Sequence, residues 1–250
     1  MTDTVFVTGA TSGFGAAIAR RFAQRGWNVV ATGRRAERLQ ALADELGPGL
    51  LPLAVDVRDR EAMRTAVEGL PASHAGLRAL VNNAGLALGT KPAQACSLDD
   101  WDTMVDTNIK GLLYATRLLL PRLIAHGPGA GIVNLGSIAG NWPYPGSHVY
   151  GASKAFVRQF SLNLRCDLLG TGVRVTDLEP GMSESEFSLV RFGGDRARAG
   201  DVYRGVQPLA PEDIAETVHW ILDRPAHVNV NSLEIMPVQQ AWGSFAVQRG

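Results

Sequence analysis

The sequence predicts a single doubly wound α/β domain, a parallel sheet with helices on both faces. Three observations predict it. Short aliphatic or β-branched runs alternate with longer stretches of helical period. Those short runs are apolar at successive positions, which suits strands buried on both faces. The 250 residues are enough for one substantial core and contain no linker, repeat or low-complexity block.

Seven strands are expected, at Thr4–Thr8, Asn28–Thr32, Leu50–Ala54, Ala79–Asn82, Gly131–Leu135, Val173–Leu178 and Ser232–Ile235. Gly15–Arg25 places Ile18, Ala19 and Phe22 on one helical face. Arg35–Glu45 starts a second helix, with Leu39, Leu42 and Leu46 at helical spacing. Ser97 before Asp99 and Asp100 reads as a helix start, acids being favourable in the first turn. Ala152–Leu169 is a long helix stopped by Gly170, and Ala210-Pro211 opens a late one. The segment 181–208 shows no clear element. Structureless stretches of that length are uncommon unless functional, so a lid is expected there.

Composition excludes some functions. Lysine plus arginine equals aspartate plus glutamate, 24 each, which argues against nucleic acid or an anionic membrane as partner. No apolar run is long enough to span a bilayer, and no targeting peptide is expected ahead of Val5. Cys96 and Cys166 form no motif, and the five histidines show no metal spacing. A reducing cytoplasm and no metal are the expectation.

The first strand runs into Thr8-Gly9-Ala10-Thr11-Ser12-Gly13-Phe14-Gly15 and then a helix. Glycines there permit a tight turn and close backbone approach to phosphate, while the helix N-terminus offers free N–H groups. This is the Rossmann-type placement of a dinucleotide turn. A site for NAD usually ends the second strand on a carboxylate that holds the ribose hydroxyls. Here Gly33 stands in that place, followed by Arg34 and Arg35. Guanidinium groups would bind a 2′-phosphate that an acid would repel, so NADP(H) is expected. A solvated helix start is the alternative for the two arginines, although cations oppose the dipole at that end.

Tyr150 and Lys154 are four apart and share a face if helical. A nearby ammonium favours phenolate, so the phenol pKa is expected to fall toward neutrality. Such a tyrosine would exchange a proton with an alcohol or alkoxide. Ser137 follows a strand end, where ligands bind in open α/β sheets, and would hydrogen-bond the substrate oxygen.

With these motifs together, nearly the whole chain resembles the short-chain dehydrogenase/reductase family. The resemblance rests on the turn Thr8–Gly15, Asp56-Val57, Asn82-Asn83-Ala84-Gly85, Asn108, the Ser137–Tyr150–Lys154 set and Pro180-Gly181. It implies that Asp56-Val57 meets the adenine, that Asn82–Gly85 and Pro180-Gly181 line the cofactor, and that Pro180-Gly181 passes the nicotinamide. It implies Tyr150 as general acid/base. Lys154 would hold the nicotinamide ribose, Ser137 would orient the carbonyl, and Asn108 would help hold a water linking Lys154 to solvent. A homotetramer burying the tail Val238–Gly250 is also implied, a disordered end being the alternative.

Asn83–Gly89, Trp142-Pro143-Tyr144, Ala155–Leu164 and Pro225–Asn229 further resemble the NADP-dependent 3-hydroxy acid dehydrogenases, whose relatives include sulfoacetaldehyde reductases. That resemblance implies a small anionic carbonyl or hydroxy substrate. Arg191, in Glu186–Phe192, is the candidate anion donor because its planar fork matches carboxylate or sulfonate. A plain surface arginine is the alternative. Trp142 and Tyr144 would line the pocket, or would serve packing or a subunit contact, and Met182 would flank the substrate. The run Met182-Ser183-Glu184-Ser185 is one residue shorter and more acidic than the resemblance leads one to expect. A bulkier ketone and a non-catalytic NADP(H) sensor are the competing readings.

Overall fold

The computed structural model describes residues 2–243. Seven parallel strands run in chain order as β1 (Thr4–Val7), β2 (Asn28–Gly33), β3 (Leu50–Ala54), β4 (Leu77–Asn82), β5 (Gly131–Leu135), β6 (Arg174–Pro180) and β7 (Ser232–Ile235). Across the sheet the order is β3-β2-β1-β4-β5-β6-β7. The strand sequence reverses between β1 and β4, so both carboxyl ends open onto one crevice, the usual ligand site of such sheets.

The helices are α1 (Gly13–Gln24), α2 (Ala36–Leu46), α3 (Arg60–Glu68), α4 (Leu98–Val105), α5 (Leu112–His126), α6 (His148–Asp167), α7 (Glu186–Arg191), α8 (Arg196–Asp201) and α9 (Pro211–Leu222). Successive strand residues point to opposite faces. Val5 and Val7 therefore pack with Ile18 and Phe22 of α1 and Val218 of α9. Phe6, between them, packs on the other face with Met63 of α3 and Leu119 of α5. The unbroken apolar runs are thus explained by two covered faces.

Several bounds differ from the sequence expectation. The helix carrying Tyr150 and Lys154 starts at His148, not Ala152, so both residues lie inside it. The segment 181–208 contains α7 and α8. Each is six residues long and starts on a side-chain cap, Ser185 accepting from Phe187 N and Asp195 from Arg198 N. Helices that short show no apolar period. Helices α3 and α5 also go beyond the expectation. In α3 only Met63 and Val67 are buried, and α5 is apolar nearly all round with Pro121 inside it, so neither shows a clean stripe. No helix among the described residues is long and apolar enough to cross a membrane.

Candidate active site

The dinucleotide turn sits between β1 and α1 and is braced from β4. Gly9 has φ 69°, the left-handed region that glycine tolerates without strain. A Cβ on Gly15 would lie 2.3 Å from the Gly9 carbonyl oxygen, so the helix start and the turn touch backbone to backbone. Asn83 Nδ2 donates to the carbonyls of Thr8 and Gly9, at 2.8 and 3.1 Å. Thr8 Oγ1 accepts from the amides of Asn83 and Ala84, both at 3.0 Å. Ala10 is buried and Phe14 packs on the core, so these two offer only backbone to a ligand. Ser12 caps α1 without a side-chain hydrogen bond to it, leaving the first amides of the helix available.

The Asn82 side chain is engaged by protein. It is buried, and its amide donates to Thr116 Oγ1 and Asn134 Oδ1 at 2.9 and 2.8 Å, tying β4 to α5 and β5. Asp56 is likewise engaged by protein. Its carboxylate takes the Arg58 backbone amide and guanidinium, the closest contact being 2.7 Å. Burial pushes the Asp56 pKa up, but the Arg58 hydrogen bonds and the charges of Arg58 and Arg34 bring it below its ordinary value. Val57 is buried against Gly111, where a Cβ would come within 2.7 Å of Val57 Cγ2.

At the end of β2 the missing acid has a steric counterpart. A Cβ on Gly33 would lie 2.5 Å from Thr11 Cγ2, so an aspartate there would force the Thr11 side chain to move. The two arginines behave differently. Arg35 is half-buried and donates to Thr11 Oγ1 at 2.7 Å and Ser12 Oγ at 2.8 Å, while Nη1 meets Glu186 Oε2 at 2.9 Å. Arg38 Nη1 takes the other Glu186 oxygen at 2.6 Å. Arg34 is exposed. The hydrogen bond from Arg38, opposed by burial and helped by Arg35 and Ser12, brings Glu186 down to about 2. Glu186 thus fastens the first turn of α7 to the arginines beside the dinucleotide turn. Arg38 was not legible as a site residue; its only signal was its place one turn after Arg35.

On the β5 side, Ser137, Tyr150 and Lys154 come together as expected. Ser137 Oγ accepts from Ala139 N at 3.1 Å and lies within hydrogen-bonding reach of the Tyr150 phenol. It also donates to the Pro180 carbonyl at 3.4 Å, tying the β5 end to the Pro180-Gly181 corner. Lys154 Nζ donates to the Leu135 carbonyl at 2.7 Å and stands 5.9 Å from the Tyr150 ring centroid. Asn108 occupies a π-helical segment, Asp106–Gly111, between α4 and α5; such wide turns recur at functional sites. Its side chain is fully used, accepting from Leu86 N and donating to Leu86 O and Ser153 Oγ. A Cβ on Gly85 would lie 3.4 Å from both Asn108 Oδ1 and Lys154 Nζ, so Gly85 separates the two.

The expected fall of the phenol pKa does not occur. Burial pushes Tyr150 up to about 12, against the Ser137 hydrogen bond and the Arg191 charge, with Tyr144 adding to the rise. Burial also lowers Lys154 to about 8, opposed by the charge of Asp177. Desolvation outweighs charge proximity at both groups. Tyr150 is therefore a proton-bearing phenol across neutral pH, suited to donating a proton to an alkoxide.

The lid supplies the remaining wall. Phe187 packs on the Tyr150 ring, with centroids 5.4 Å apart. Arg191 places its guanidinium carbon 5.9 Å from the centre of the same ring. Its Nη1 donates to Tyr144 Oη at 3.0 Å and its Nε to Gly89 O at 3.4 Å. Helix α7 thus presents Glu186 to the dinucleotide turn and Arg191 to the Tyr150 ring. Trp142 turns elsewhere: its indole N–H donates to Glu234 and its ring lies 5.4 Å from Trp242. It serves packing against the tail, and residues 244–250 of that tail lie outside the described residues. Met182 N donates to Gln240 Oε1 at 2.7 Å, which anchors the short loop after Gly181 to the same tail.

Known proteins share this arrangement. The family described as short chain dehydrogenase matches residues 3–191. Sulfoacetaldehyde reductase 2 of Chromohalobacter salexigens is 59% identical over 251 residues, covering 100% of both chains. The NADP-dependent 3-hydroxy acid dehydrogenase YdfG of Salmonella typhi is 56% identical over 246 residues, 98% of this chain and 99% of that one. The closed form of serine dehydrogenase complexed with NADP+ superposes with a TM-score of 0.96 at 55% identity, covering 99% of this chain and 100% of that structure. A braced glycine turn, a serine–tyrosine–lysine set at the strand ends and this similarity lead to one conclusion: the chain belongs to the short-chain dehydrogenase family.

Proposed function

We propose that the protein interconverts a small anionic hydroxy acid, of the 3-hydroxypropionate or serine kind, and its aldehyde or ketone form, using NADP(H). The observation that carries this reading is Arg191, held by Tyr144 and Gly89 beside the buried Tyr150 phenol. Its guanidinium faces the space next to the proton donor, where an acid group two or three bonds from the carbonyl would lie. The dinucleotide turn, the absence of an acid at Gly33 and the cluster Arg34, Arg35 and Arg38 fit NADP(H) as cofactor. When bound, that cofactor supplies or accepts the hydride.

The chain's own residues do the rest. Ser137 donates a hydrogen bond to the carbonyl oxygen and orients it. Tyr150 breaks its O–H bond and gives the proton to that oxygen as negative charge develops; in oxidation it takes the proton back. Lys154 would hold the nicotinamide ribose, and Asn108 fixes the loop of Leu86 beside it. Phe187 keeps water from the phenol. A sensor without catalysis would not need Ser137, Tyr150, Lys154 and Asn108 all buried beside one another.

A sulfonate is the second reading. The arginine fork fits either acid group, and two relatives named as sulfoacetaldehyde reductases are 59% and 60% identical to this chain. Following NADPH oxidation with malonic semialdehyde, sulfoacetaldehyde and neutral ketones separates the readings. The proposal expects the carboxylate aldehyde to be turned over efficiently, and no turnover of any of them would overturn it. Assembly as a homotetramer in the cytoplasm completes the reading; the two unpaired cysteines agree with a reducing compartment.

Arg34 gives a direct test of cofactor choice. Because Arg35 is already tied to Thr11, Ser12 and Glu186, Arg34 is the exposed guanidinium left for a 2′-phosphate. Arg34→Ala is expected to weaken NADPH binding about tenfold or more, the worth of a hydrogen-bonded charge pair at roughly 1.5–3 kcal/mol. NADH binding, read in the same titration, should change little. Equal losses for both would refute the phosphate role.

A further inference from the structure

Beneath α6 lie two acids that the reaction above does not use. Alternate residues of β6 face the same way, so Val175, Asp177 and Glu179 all turn toward α6; Val175 packs there with Leu164. Asp177 is fully buried and Glu179 is 3% exposed. Neither Asp177 oxygen has a hydrogen-bond partner, nor does Glu179 Oε1. Glu179 Oε2 accepts from Asn141 Nδ2 at 2.7 Å.

Two cations of α6, one turn apart, border the pair. Arg158 Nε is 3.5 Å from Glu179 Oε1, and the Lys154 charge acts on Asp177. Tyr150, Lys154 and Arg158 share the four-residue spacing and so form one ridge of the helix. From β5 only neutral groups face Asp177. A Cβ on Gly136 would lie 2.3 Å from Asp177 Oδ1, so the carboxyl passes under the residue between Leu135, which holds the lysine, and Ser137. From β7, Glu234 is the register partner of Glu179, and its Oε2 accepts from Trp142.

Three buried carboxyl oxygens without a donor would be costly if both groups were bare anions. Two apart on β6, the two buried carboxyl groups stand side by side on one face of the strand, and the Glu179 charge acts on Asp177. A single proton between them turns that contact from repulsion into an O–H···O bond, as in other buried acid pairs.

We propose that Asp177 and Glu179 share one proton beneath α6 and act as a positioning pair that keeps Lys154 charged at the Leu135 carbonyl. This rests on the roles given above to Tyr150 and Lys154. The pair touches neither substrate nor cofactor; it acts through the lysine. Burial, together with the hydrogen bond and charge of Glu179, raises Asp177 to about 8, against Lys154 and Arg158. Lys154 is lowered to about 8, so the two titrate over one range. As pH rises, loss of the shared proton adds a second negative charge under the lysine and sustains its ammonium.

Removing either carboxyl takes that second charge away and lowers the lysine pKa. Asp177→Asn is therefore expected to move the alkaline limb of NADPH-driven reduction down by about one pH unit, a tenfold loss on the limb. Glu179→Gln should move it the same way. A purely structural role would lower kcat equally at every pH, so a folded Asp177→Asn with an unmoved limb overturns the positioning role. Infrared spectra of the whole protein at pH 7 give a second readout that needs neither substrate nor a variant. A protonated carboxyl band should be present in the wild type, and its absence overturns the shared proton. The band should vanish in either variant that folds. A failed substrate assignment would leave this band in place, which separates the two proposals.

Discussion

Tyr150→Phe is expected to lower turnover by about a thousandfold, while NADPH binds as before. A positioned general acid contributes roughly 10²–10⁴ in rate. The phenol here is held protonated by burial, at about 12, beside the Ser137 hydroxyl. Phenylalanine keeps the ring that packs on Phe187 and removes only the proton donor. Fold and cofactor site should therefore survive. Single-turnover oxidation of bound NADPH reads the chemical step, and fluorescence titration reads cofactor affinity. A variant retaining a tenth of wild-type turnover would mean that the proton comes from elsewhere.

The second large effect is expected at Arg191. Removing a hydrogen-bonded charge partner costs about 2–3 kcal/mol, or roughly thirty- to 150-fold in kcat/KM. Arg191→Met should lose that much against an anionic aldehyde and far less against a neutral one. Arg191→Lys keeps the charge but not the fork, and should fall between. Because the side chain also holds Tyr144 Oη and Gly89 O, a modest loss of lid order is expected for both substrates. Equal losses on charged and neutral substrates would reassign Arg191 to lid structure alone.

Much of this was legible in the sequence because local signals agreed with the fold. Apolar runs such as Val5–Val7 and Ile132–Val133 mark parallel strands because helices cover both faces, as found. The glycine turn, Ser137 and the Tyr150–Lys154 pair were legible because strand ends and helical spacing fix where such residues go. What escaped depended on tertiary contact. Spacing alone placed a cation near the phenol, but burial decides the sign of its pKa shift, and spacing carries no burial. Arg34 and Arg35 read alike until the structure tied one of them to Thr11, Ser12 and Glu186. Asp177 falls inside the expected strand Val173–Leu178 and Glu179 just beyond it, and neither carries a motif. That they meet beneath Lys154 follows from sheet register and from the bare Gly136 beside them. Helix α5 escaped because a helix apolar nearly all round has no face to read.

The central claim is that proton chemistry at Tyr150 is directed onto a small anionic carbonyl by Arg191. Malonic semialdehyde and propanal have the same carbon chain and differ in the acid group. Their kcat/KM values, measured by NADPH oxidation with the wild-type protein, test the claim most directly. The account predicts a preference of about thirtyfold or more for the anion, from the same hydrogen-bonded charge. Equal values, or faster reduction of propanal, would contradict it.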